Sequence, residues 1–230
     1  MRIFLINLER NPDRLAFMRR QLDERGLAFE RIPAVDGKTL AAADLKRGFS
    51  PIRSFVASKK RMSEGEIGCA LSHVAACRRI VAENLPCALI LEDDVVLAPG
   101  FAAALDRVER FVDAARPQAV VFSGYGVADA ETAPEEIRPE KAIWCADAYC
   151  VTRAAADLIL RANDPVITVA DSFKRWRRRF GLELYRALPA TAKQDDVGFK
   201  SENRVLPKSN WLVRNLMWLA DWVLFKATGR

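Results

Sequence analysis

Short apolar runs alternate along this chain with segments that carry helix signals. Residues 2–8 and 87–91 are apolar over nearly their whole length, a pattern typical of strands buried on both faces of a parallel sheet. Helices are predicted to begin near Asn11 and at Ser63, which forms a capping box with Glu66. The first strand, the first helix and the strand that follows make a βαβ unit. The pattern therefore predicts an α/β fold with a mostly parallel sheet flanked by helices.

The rest of the main domain continues this alternation, with one irregular stretch. Strands are predicted at residues 118–123 and 143–151. Further helices are predicted to begin at Pro99 and after Thr152, a residue type that caps helix N-termini. Residues 38–62 are polar and basic, and the sequence predicts a loop there.

Charge divides the chain unevenly. The formal net charge is +6, yet residues 171–230 hold 13 basic and 6 acidic side chains, so the preceding part is nearly neutral. Residues 174–179 carry five of these cations, and residues 211–226 are apolar except for one narrow face. That pattern suits an in-plane interfacial helix with tryptophan anchors. We therefore divide the chain into a domain over 1–190 and a basic, amphipathic extension over 191–230 that contacts anionic membrane or a second subunit.

Several absences narrow the class of protein. No run of 18 or more apolar residues occurs, which excludes a transmembrane helix, and the apolar start is too short for a signal peptide. The five cysteines form no C-x-x-C pair, so they indicate neither a zinc site nor a redox motif, and we expect small buried side chains. These features predict a cytoplasmic protein, peripheral to the inner face of the cytoplasmic membrane.

The sharpest chemical feature is the triplet Glu92-Asp93-Asp94, which directly follows an apolar strand. Ligands of open α/β sheets bind at the carboxyl ends of strands. Three adjacent carboxylates repel each other, and this favours a divalent cation such as Mg²⁺ or Mn²⁺, held against a diphosphate. The alternative is a solvated acidic turn or a helix cap. A dehalogenase-like phosphotransferase needs Asp in the first position, where this chain has Glu92.

Two other groups of residues are weaker candidates. His73 is the only histidine and lies in a predicted helix, where a structural role is the commoner one. Its neighbour Ser72 points about 100° away from it, so the two cannot act together as nucleophile and base. The first βα junction lacks Gly-x-Gly-x-x-Gly, which disfavours a dinucleotide fold. It does bring Asn7, Arg10 and Arg14 near a helix N-terminus, where an anion or nucleobase can bind; the alternative is a solvated helix face.

Five blocks of sequence occur in an order that carries a family resemblance. They are residues 4–8 with Arg10, Asp13 and Arg14, then 34–37, 65–73, 88–94 and 148–149. Together they resemble the motifs of glycosyltransferase family 25, the bacterial lipopolysaccharide and lipooligosaccharide galactosyltransferases, which are related to collagen galactosyltransferases. The resemblance implies a GT-A-like fold, a UDP-sugar donor, Mn²⁺ or Mg²⁺, and inversion at the anomeric carbon.

The resemblance also implies roles for individual residues. Asp94 would hold the metal against the donor diphosphate, with Glu92 assisting. The residues expected to bind the donor are Asn7, Arg10, Arg14, Asp36, Gly37, Ser72, His73, Glu92 and Asp93. An inverting transfer needs a base for the acceptor hydroxyl, and the candidates are Asp171, Asp147, Asp195 and Asp196. We favour Asp171, which follows an apolar run and precedes a helix; the alternative is that it caps that helix. The family commonly has an aromatic residue beside this acid, where this chain has Ser172.

These features predict a membrane-peripheral, inverting glycosyltransferase. The expected reaction moves a sugar, with galactose favoured, from a UDP-sugar to a lipid-linked saccharide of lipopolysaccharide or lipooligosaccharide type. Two alternatives stay open: a non-enzymatic protein that binds anions or nucleic acid through its basic tail, and a metal-dependent phosphotransferase. Nucleic acid is disfavoured as a partner because the aromatic residues near the cations, Phe173, Trp176 and Phe180, accompany no RNA-binding sheet motif.

Overall fold

The computed structural model describes residues 1–58, 61–126 and 131–195. The strands are β1 (Arg2–Asn7), β2 (Glu30–Pro33), β3 (Cys87–Glu92), β4 (Val95–Leu97), β5 (Gln118–Val121), β6 (Glu136–Pro139), β7 (Ala148–Thr152), β8 (Glu183–Leu188) and β9 (Ala192–Gln194). The helices are α1 (Pro12–Asp23), α2 (Ala42–Gly48), α3 (Pro51–Ser58), α4 (Glu64–Ala82), α5 (Phe101–Phe111), α6 (Arg153–Asn163) and α7 (Phe173–Phe180). The predicted interfacial helix over 211–226 and Asp196 lie outside the described residues.

Seven strands form one central sheet in the order β2-β1-β3-β7-β5-β8-β6. Five of them run in one direction, whereas β7 and β6 run in the opposite direction. This confirms the predicted α/β fold with a mostly parallel sheet flanked by helices. The apolar run predicted as a strand over 143–151 enters the sheet as β7, antiparallel to β3 and β5. Strands β4 and β9 form a separate antiparallel pair, which brings residues 192–194 against the main domain.

The sheet is buried on both faces, which explains the unbroken apolar runs. Along β1, Phe4 and Ile6 pack in one cluster with residues of α4, α6 and α7, while Ile3 and Leu5 pack in another with residues of α1 and α5. Each successive side chain therefore meets a helix layer on one side or the other, as expected for a parallel core strand. No helix in the described part of the chain has the length and apolar character needed to cross a bilayer.

The predicted helix starts at Ser63 and Thr152 are confirmed. The Ser63 hydroxyl accepts from the Glu66 amide at 3.2 Å, the Glu66 carboxylate accepts from the Ser63 amide at 2.8 Å, and α4 follows. The Thr152 hydroxyl accepts from the Ala155 amide at 3.2 Å at the start of α6. Both caps satisfy amides that have no partner within the helix.

The prediction of an irregular loop over residues 38–62 is wrong, because this stretch contains α2 and α3. Helix α2 buries none of its side chains, and Ser54 is the one buried residue of α3. The two helices have only seven and eight residues, and the apolar positions of α3 (Ile52, Phe55 and Val56) cover about one turn, which is shorter than the window in which a periodic signal can be read.

Candidate functional site

Most of the predicted donor-binding residues meet in one cavity at the carboxyl ends of β1, β2 and β3. We call it the first cavity. Its lining includes Arg10, Arg14, Asp36, Gly37, Ser72, His73, Glu92, Asp93 and Asp94, together with Asn11, Lys38, Cys69 and Gln194. Asn7 is not in the lining; it is buried and contacts Asp93 through its side chain. The lining comes from five separated stretches of sequence: three follow β1, β2 and β3, because parallel strands end at the same edge of the sheet, while α4 and β9 supply the other two.

Asp93 and Asp94 are both buried, but their environments differ. Asp93 accepts hydrogen bonds from Asn7 Nδ2 at 2.7 Å and from Arg14 at 3.1 Å. Asp94 Oδ2 accepts from Arg14 at 3.4 Å and from Gln194 Nε2 at 3.2 Å. Among the described residues, nothing hydrogen-bonds the buried Asp94 Oδ1. The alternative of a solvated acidic turn is therefore wrong, since these two residues are only 7% and 5% exposed.

The Asp94 carboxyl is short of positive charge. Burial, together with the nearby Glu92 carboxylate, raises its pKa to about 7, and the contacts from Gln194 and Arg14 offset this only in part. A buried carboxylate oxygen without a donor is a suitable ligand for a hard divalent cation. The residues present therefore fit Mn²⁺ or Mg²⁺: Asp94 would hold the ion through Oδ1 and Glu92 is the neighbouring carboxylate, whereas Asp93 is already engaged by Asn7 and Arg14.

Glu92 is oriented by α4 rather than by the loop that follows it. Its Oε1 lies 3.1 Å from His73 Nε2 and 3.7 Å from Cys69 Sγ. The other ring nitrogen of His73 lies 2.8 Å from the Tyr149 hydroxyl. Because a carboxylate can only accept, Nε2 carries the proton of a neutral His73, and Nδ1 accepts from Tyr149. Burial raises the pKa of the Tyr149 hydroxyl well above its usual value, so it stays protonated as this donor.

The same three side chains form a group that could itself hold a metal ion. The ligand atoms of Cys69, His73 and Glu92 all lie within 4.8 Å of one another. Burial is the main cause that raises the pKa of the Cys69 thiol well above its usual value, so the sulfur stays protonated and is a poor ligand for a hard cation. A search for C-x-x-C pairs could not find this group, because Cys69 and His73 lie one helical turn apart on α4 and Glu92 comes from β3.

Two glycines and a serine pack the loop after β2 against α4. A Cβ added at Gly37 would lie 1.8 Å from the Glu64 carbonyl oxygen, and one added at Gly68 would lie 2.4 Å from the Val35 carbonyl oxygen. The Ser72 hydroxyl accepts from the Val35 amide at 2.8 Å and donates to the Gly68 carbonyl at 2.7 Å. Ser72 is fully buried, so its hydroxyl anchors the loop from inside the protein.

The anchored loop faces the first βα junction across the first cavity. Asp36 forms an ion pair with Arg10, and Arg14 bridges Asp93 and Asp94. Arg14 is therefore held between two buried acids, which overturns a solvated helix face for Arg14, whereas Arg10 pairs with Asp36 and is exposed. The guanidinium groups lie where an anionic ligand at the strand ends would meet them.

A second cavity adjoins the first, and the candidate base lies in it. Its lining comprises Glu66, Trp144, Cys145, Ala146, Asp147, Val169, Ala170 and Asp171, and it shares Cys69, Glu92 and Gln194 with the first cavity. Ser172, rather than Asp171, occupies the N-cap position of α7, and the Ser172 side chain makes no capping hydrogen bond. Asp147 is almost fully buried, and burial raises the pKa of its carboxyl. Asp195 adjoins the site through its backbone, whose amide donates to the Asp94 carbonyl at 2.7 Å.

Sequence analysis assigned no role to two residues that the structure brings to the site. Gln194 contacts Asp94 and lines both cavities, although it lies 100 residues further along the chain. Trp144 lines the second cavity with a largely exposed ring. The only available signals were a glutamine before two acids and an isolated aromatic residue, and neither pattern is specific.

The fold and the two cavities define an α/β protein with an acidic, arginine-flanked site at the carboxyl ends of its parallel strands. The sequence matches the family model described as "Glycosyltransferase family 25 (LPS biosynthesis protein)" over residues 1–173. The chain therefore belongs to glycosyltransferase family 25, which confirms the resemblance drawn from the five sequence blocks.

The alignments with similar proteins cover only part of this chain and a smaller part of those proteins. A glycosyltransferase 25 family member of Aedes aegypti is 41% identical over 117 residues, which is 50% of this chain and 19% of that protein. The human procollagen galactosyltransferase 2 is 34% identical over the same length, again with 50% and 19% coverage. The chain thus spans about a fifth of the length of these curated relatives. A solved structure of galactosyltransferase LgtC with donor and acceptor sugar analogues aligns over 79% of this chain and 65% of that one, at 10% identity and a TM-score of 0.37, a loose match.

Proposed function

We propose that this protein is an inverting glycosyltransferase that transfers a hexose, galactose in the first instance, from a UDP-sugar to a saccharide of lipopolysaccharide or lipooligosaccharide type. The observation that carries the proposal is the first cavity, where Asp94 is buried at the strand ends, its Oδ2 accepts from Arg14, and its Oδ1 has no hydrogen-bond partner among the described residues. A cation ligand next to a guanidinium group suits a nucleoside diphosphate, because a divalent cation and an arginine can together neutralise the negative charge of its phosphates. Membership of family 25 supports the same conclusion.

The donor side of the proposed reaction depends on Asp94, Glu92 and the two arginines. Asp94 and Glu92 would hold Mn²⁺ or Mg²⁺, which when bound stabilises negative charge on a leaving diphosphate. Arg10 and Arg14 add fixed positive charge from the first βα junction. His73 keeps the Glu92 carboxylate in place through the 3.1 Å hydrogen bond. Asp93 keeps Arg14 in place, so its contribution to donor binding is indirect.

The acceptor side of the proposed reaction depends on Asp171. An inverting transfer takes one proton from the acceptor hydroxyl while the oxygen attacks the anomeric carbon from the face opposite the leaving group. Asp171 lines a cavity that adjoins the proposed donor cavity, which favours it as the base. Asp147 lines the same cavity and is the competing candidate, although its carboxylate already accepts from the Ala148 amide at 2.9 Å.

We further propose that the protein acts at the inner face of the cytoplasmic membrane on a lipid-linked acceptor. The support within the described residues comes from α7, which buries Phe173 and Trp176 and leaves Lys174, Arg177 and Arg178 exposed. An exposed row of cations is attracted to anionic lipid at about 1 kcal/mol for each residue near the surface.

A donor screen tests the proposed function. UDP-, GDP- and CMP-sugars would be incubated with the protein, with Mn²⁺ or with EDTA, and hydrolysis and transfer would be followed by release of the nucleotide. We expect activity with UDP-galactose that depends on Mn²⁺, and a product whose anomeric proton coupling in NMR shows inversion. Retention would overturn the inverting mechanism alone. If none of the nucleotide sugars is bound or hydrolysed, while a phosphate ester is cleaved or nucleic acid is bound, one of the two alternative functions replaces this one.

A further inference from the structure

The second cavity combines one exposed aromatic ring with several acidic side chains. Trp144 is 58% exposed and shares the lining with Glu66, Asp147 and Asp171. The Lys174 ammonium lies 5.4 Å from the centre of the Trp144 ring, a cation–π contact that restrains the ring. Apart from Glu92 and Gln194, which the first cavity shares, the rest of the lining is small or apolar, as at Val169 and Ala170.

This combination matches the two kinds of surface on a pyranose ring. One face of a pyranose presents C–H groups, which pack on the face of an indole ring, while the rim presents hydroxyls, which donate to carboxylates. An anionic ligand would fit this lining less well, because the acids would repel it. A purely apolar ligand would also fit less well, because it would cover the acids without donating hydrogen bonds to them. The chemistry of the lining therefore favours a neutral saccharide unit.

We propose that the second cavity is the acceptor subsite and that Trp144 is its stacking platform. This inference rests on the proposed function and deepens it by assigning the acceptor to a particular cavity. The two cavities share Cys69, Glu92 and Gln194, so a sugar on Trp144 lies next to the acids of the donor cavity. Asp171 lies in the same lining, where a hydroxyl of the stacked sugar can reach it.

The test compares Trp144→Ala and Trp144→Phe with a control, Phe111→Ala. Phe111 is a partly exposed aromatic residue that lines neither cavity. The acceptor probes are methyl β-galactoside, methyl β-glucoside and methyl N-acetyl-β-glucosaminide, each with UDP-galactose and Mn²⁺. The acceptor KM, the donor KM and the donor hydrolysis rate would be measured, together with saturation-transfer NMR of each glycoside on the protein alone.

We expect Trp144→Ala to raise the acceptor KM about tenfold, the upper range for loss of one aromatic contact, and to weaken saturation transfer. Trp144→Phe keeps a ring and should change the acceptor KM by less than about threefold. The donor KM and the donor hydrolysis rate should match wild type in all three variants. If the alanine variant fails to fold, saturation transfer from the wild-type protein to the three glycosides keeps the proposal open to refutation.

Two results would overturn the assignment. A rise in donor KM with an unchanged acceptor KM would mean that the second cavity holds the donor sugar. An equal acceptor KM in Trp144→Ala and Phe111→Ala, or failure of all three glycosides to bind a protein that does bind UDP-galactose, would mean that no saccharide stacks on Trp144. Failure of the proposed function itself looks different, since the protein would then not bind UDP-galactose at all.

Discussion

Asp94→Asn should stabilise the metal-free protein at alkaline pH and abolish metal-dependent binding of UDP. The reason is that Asp94 is buried near Glu92, and its pKa lies near 7 instead of 3.8. Between about pH 4 and pH 7 the folded protein keeps a proton that the unfolded chain has lost. Because the folded protein holds more protons than the unfolded chain in this window, its free energy of unfolding falls as the pH rises through it. Asparagine cannot ionise, so the variant avoids that loss.

The size of the effect follows from the two pKa values. At 1.36 kcal/mol per pKa unit, ionising Asp94 costs the folded state on the order of 4 kcal/mol at pH 8. At pH 5 the cost is smaller by about 2–3 kcal/mol, because the folded carboxyl is then mostly protonated. The asparagine amide would lie where no described residue hydrogen-bonds Oδ1, which costs roughly 1–3 kcal/mol at every pH. The variant should therefore gain about 2–3 kcal/mol relative to wild type between pH 5 and pH 8.

Urea unfolding in EDTA at pH 5 and pH 8 measures this gain, and Asp93→Asn is the matched control. Asp93 accepts from Asn7 and Arg14, so its amide variant should lose roughly 1–3 kcal/mol at both pH values. UDP binding with and without Mn²⁺, by calorimetry, gives the functional readout. If Asp94→Asn is destabilised equally at both pH values, the pKa of the Asp94 carboxyl is not raised in the folded protein. If it keeps full Mn²⁺-dependent UDP binding, Asp94 is not the metal ligand.

Three further changes test the base, the loop and the extension. Asp171→Asn should lower kcat by about 10²–10⁴-fold with UDP affinity unchanged; near-normal turnover there, with a loss in Asp147→Asn, would move the base to Asp147. Gly37→Ala should unfold in less urea than Gly100→Ala, since its Cβ would lie 1.8 Å from a backbone oxygen of α4, against 3.9 Å to the nearest atom at Gly100; equal midpoints would contradict the packing of this loop. Deleting residues 210–230 should remove the salt-resistant part of binding to anionic vesicles, judged by co-sedimentation at two salt concentrations; a full-length protein that stays in the supernatant at low salt would disprove membrane docking.

The parts of the site that could be predicted are those with a local sequence signal. The acid triplet follows an unbroken apolar run. A strand that is buried on both faces is apolar at every position, so the polar residues that follow it mark where the strand ends. The start of α4 is marked by Ser63 and Glu66, which satisfy each other within four residues of sequence. Such signals need no knowledge of the rest of the fold, whereas Asp36, Gly37, Ser72 and His73 were expected near the donor only through the family resemblance.

The parts that could not be predicted depend on contacts between distant residues. Gln194 meets Asp94 from 100 residues away, and His73 meets Tyr149 from 76. The roles of Ser72 and Gly37 also depend on the packing of a loop against a helix, and no local pattern encodes that packing. Sequence analysis could therefore name Ser72 and His73 as members of the site, but the structure was needed to show that they hold a loop and the Glu92 carboxylate.

The charges that line the first cavity indicate why a metal ion and the donor should bind together. Within the part of the chain that the structure describes, four carboxylates line it, those of Asp36, Glu92, Asp93 and Asp94, against three cationic side chains, those of Arg10, Arg14 and Lys38. Fully ionised, this lining is net negative and would repel a diphosphate, and a divalent cation would reverse its sign. We therefore expect UDP to bind weakly in EDTA and more tightly with Mn²⁺, with the gain lost below about pH 6, where protons compete for Asp94. Calorimetric titration of UDP at pH 5.5 and pH 8, with and without Mn²⁺, measures this coupling, and equal affinity in all four conditions would show that the arginines bind the diphosphate without a metal.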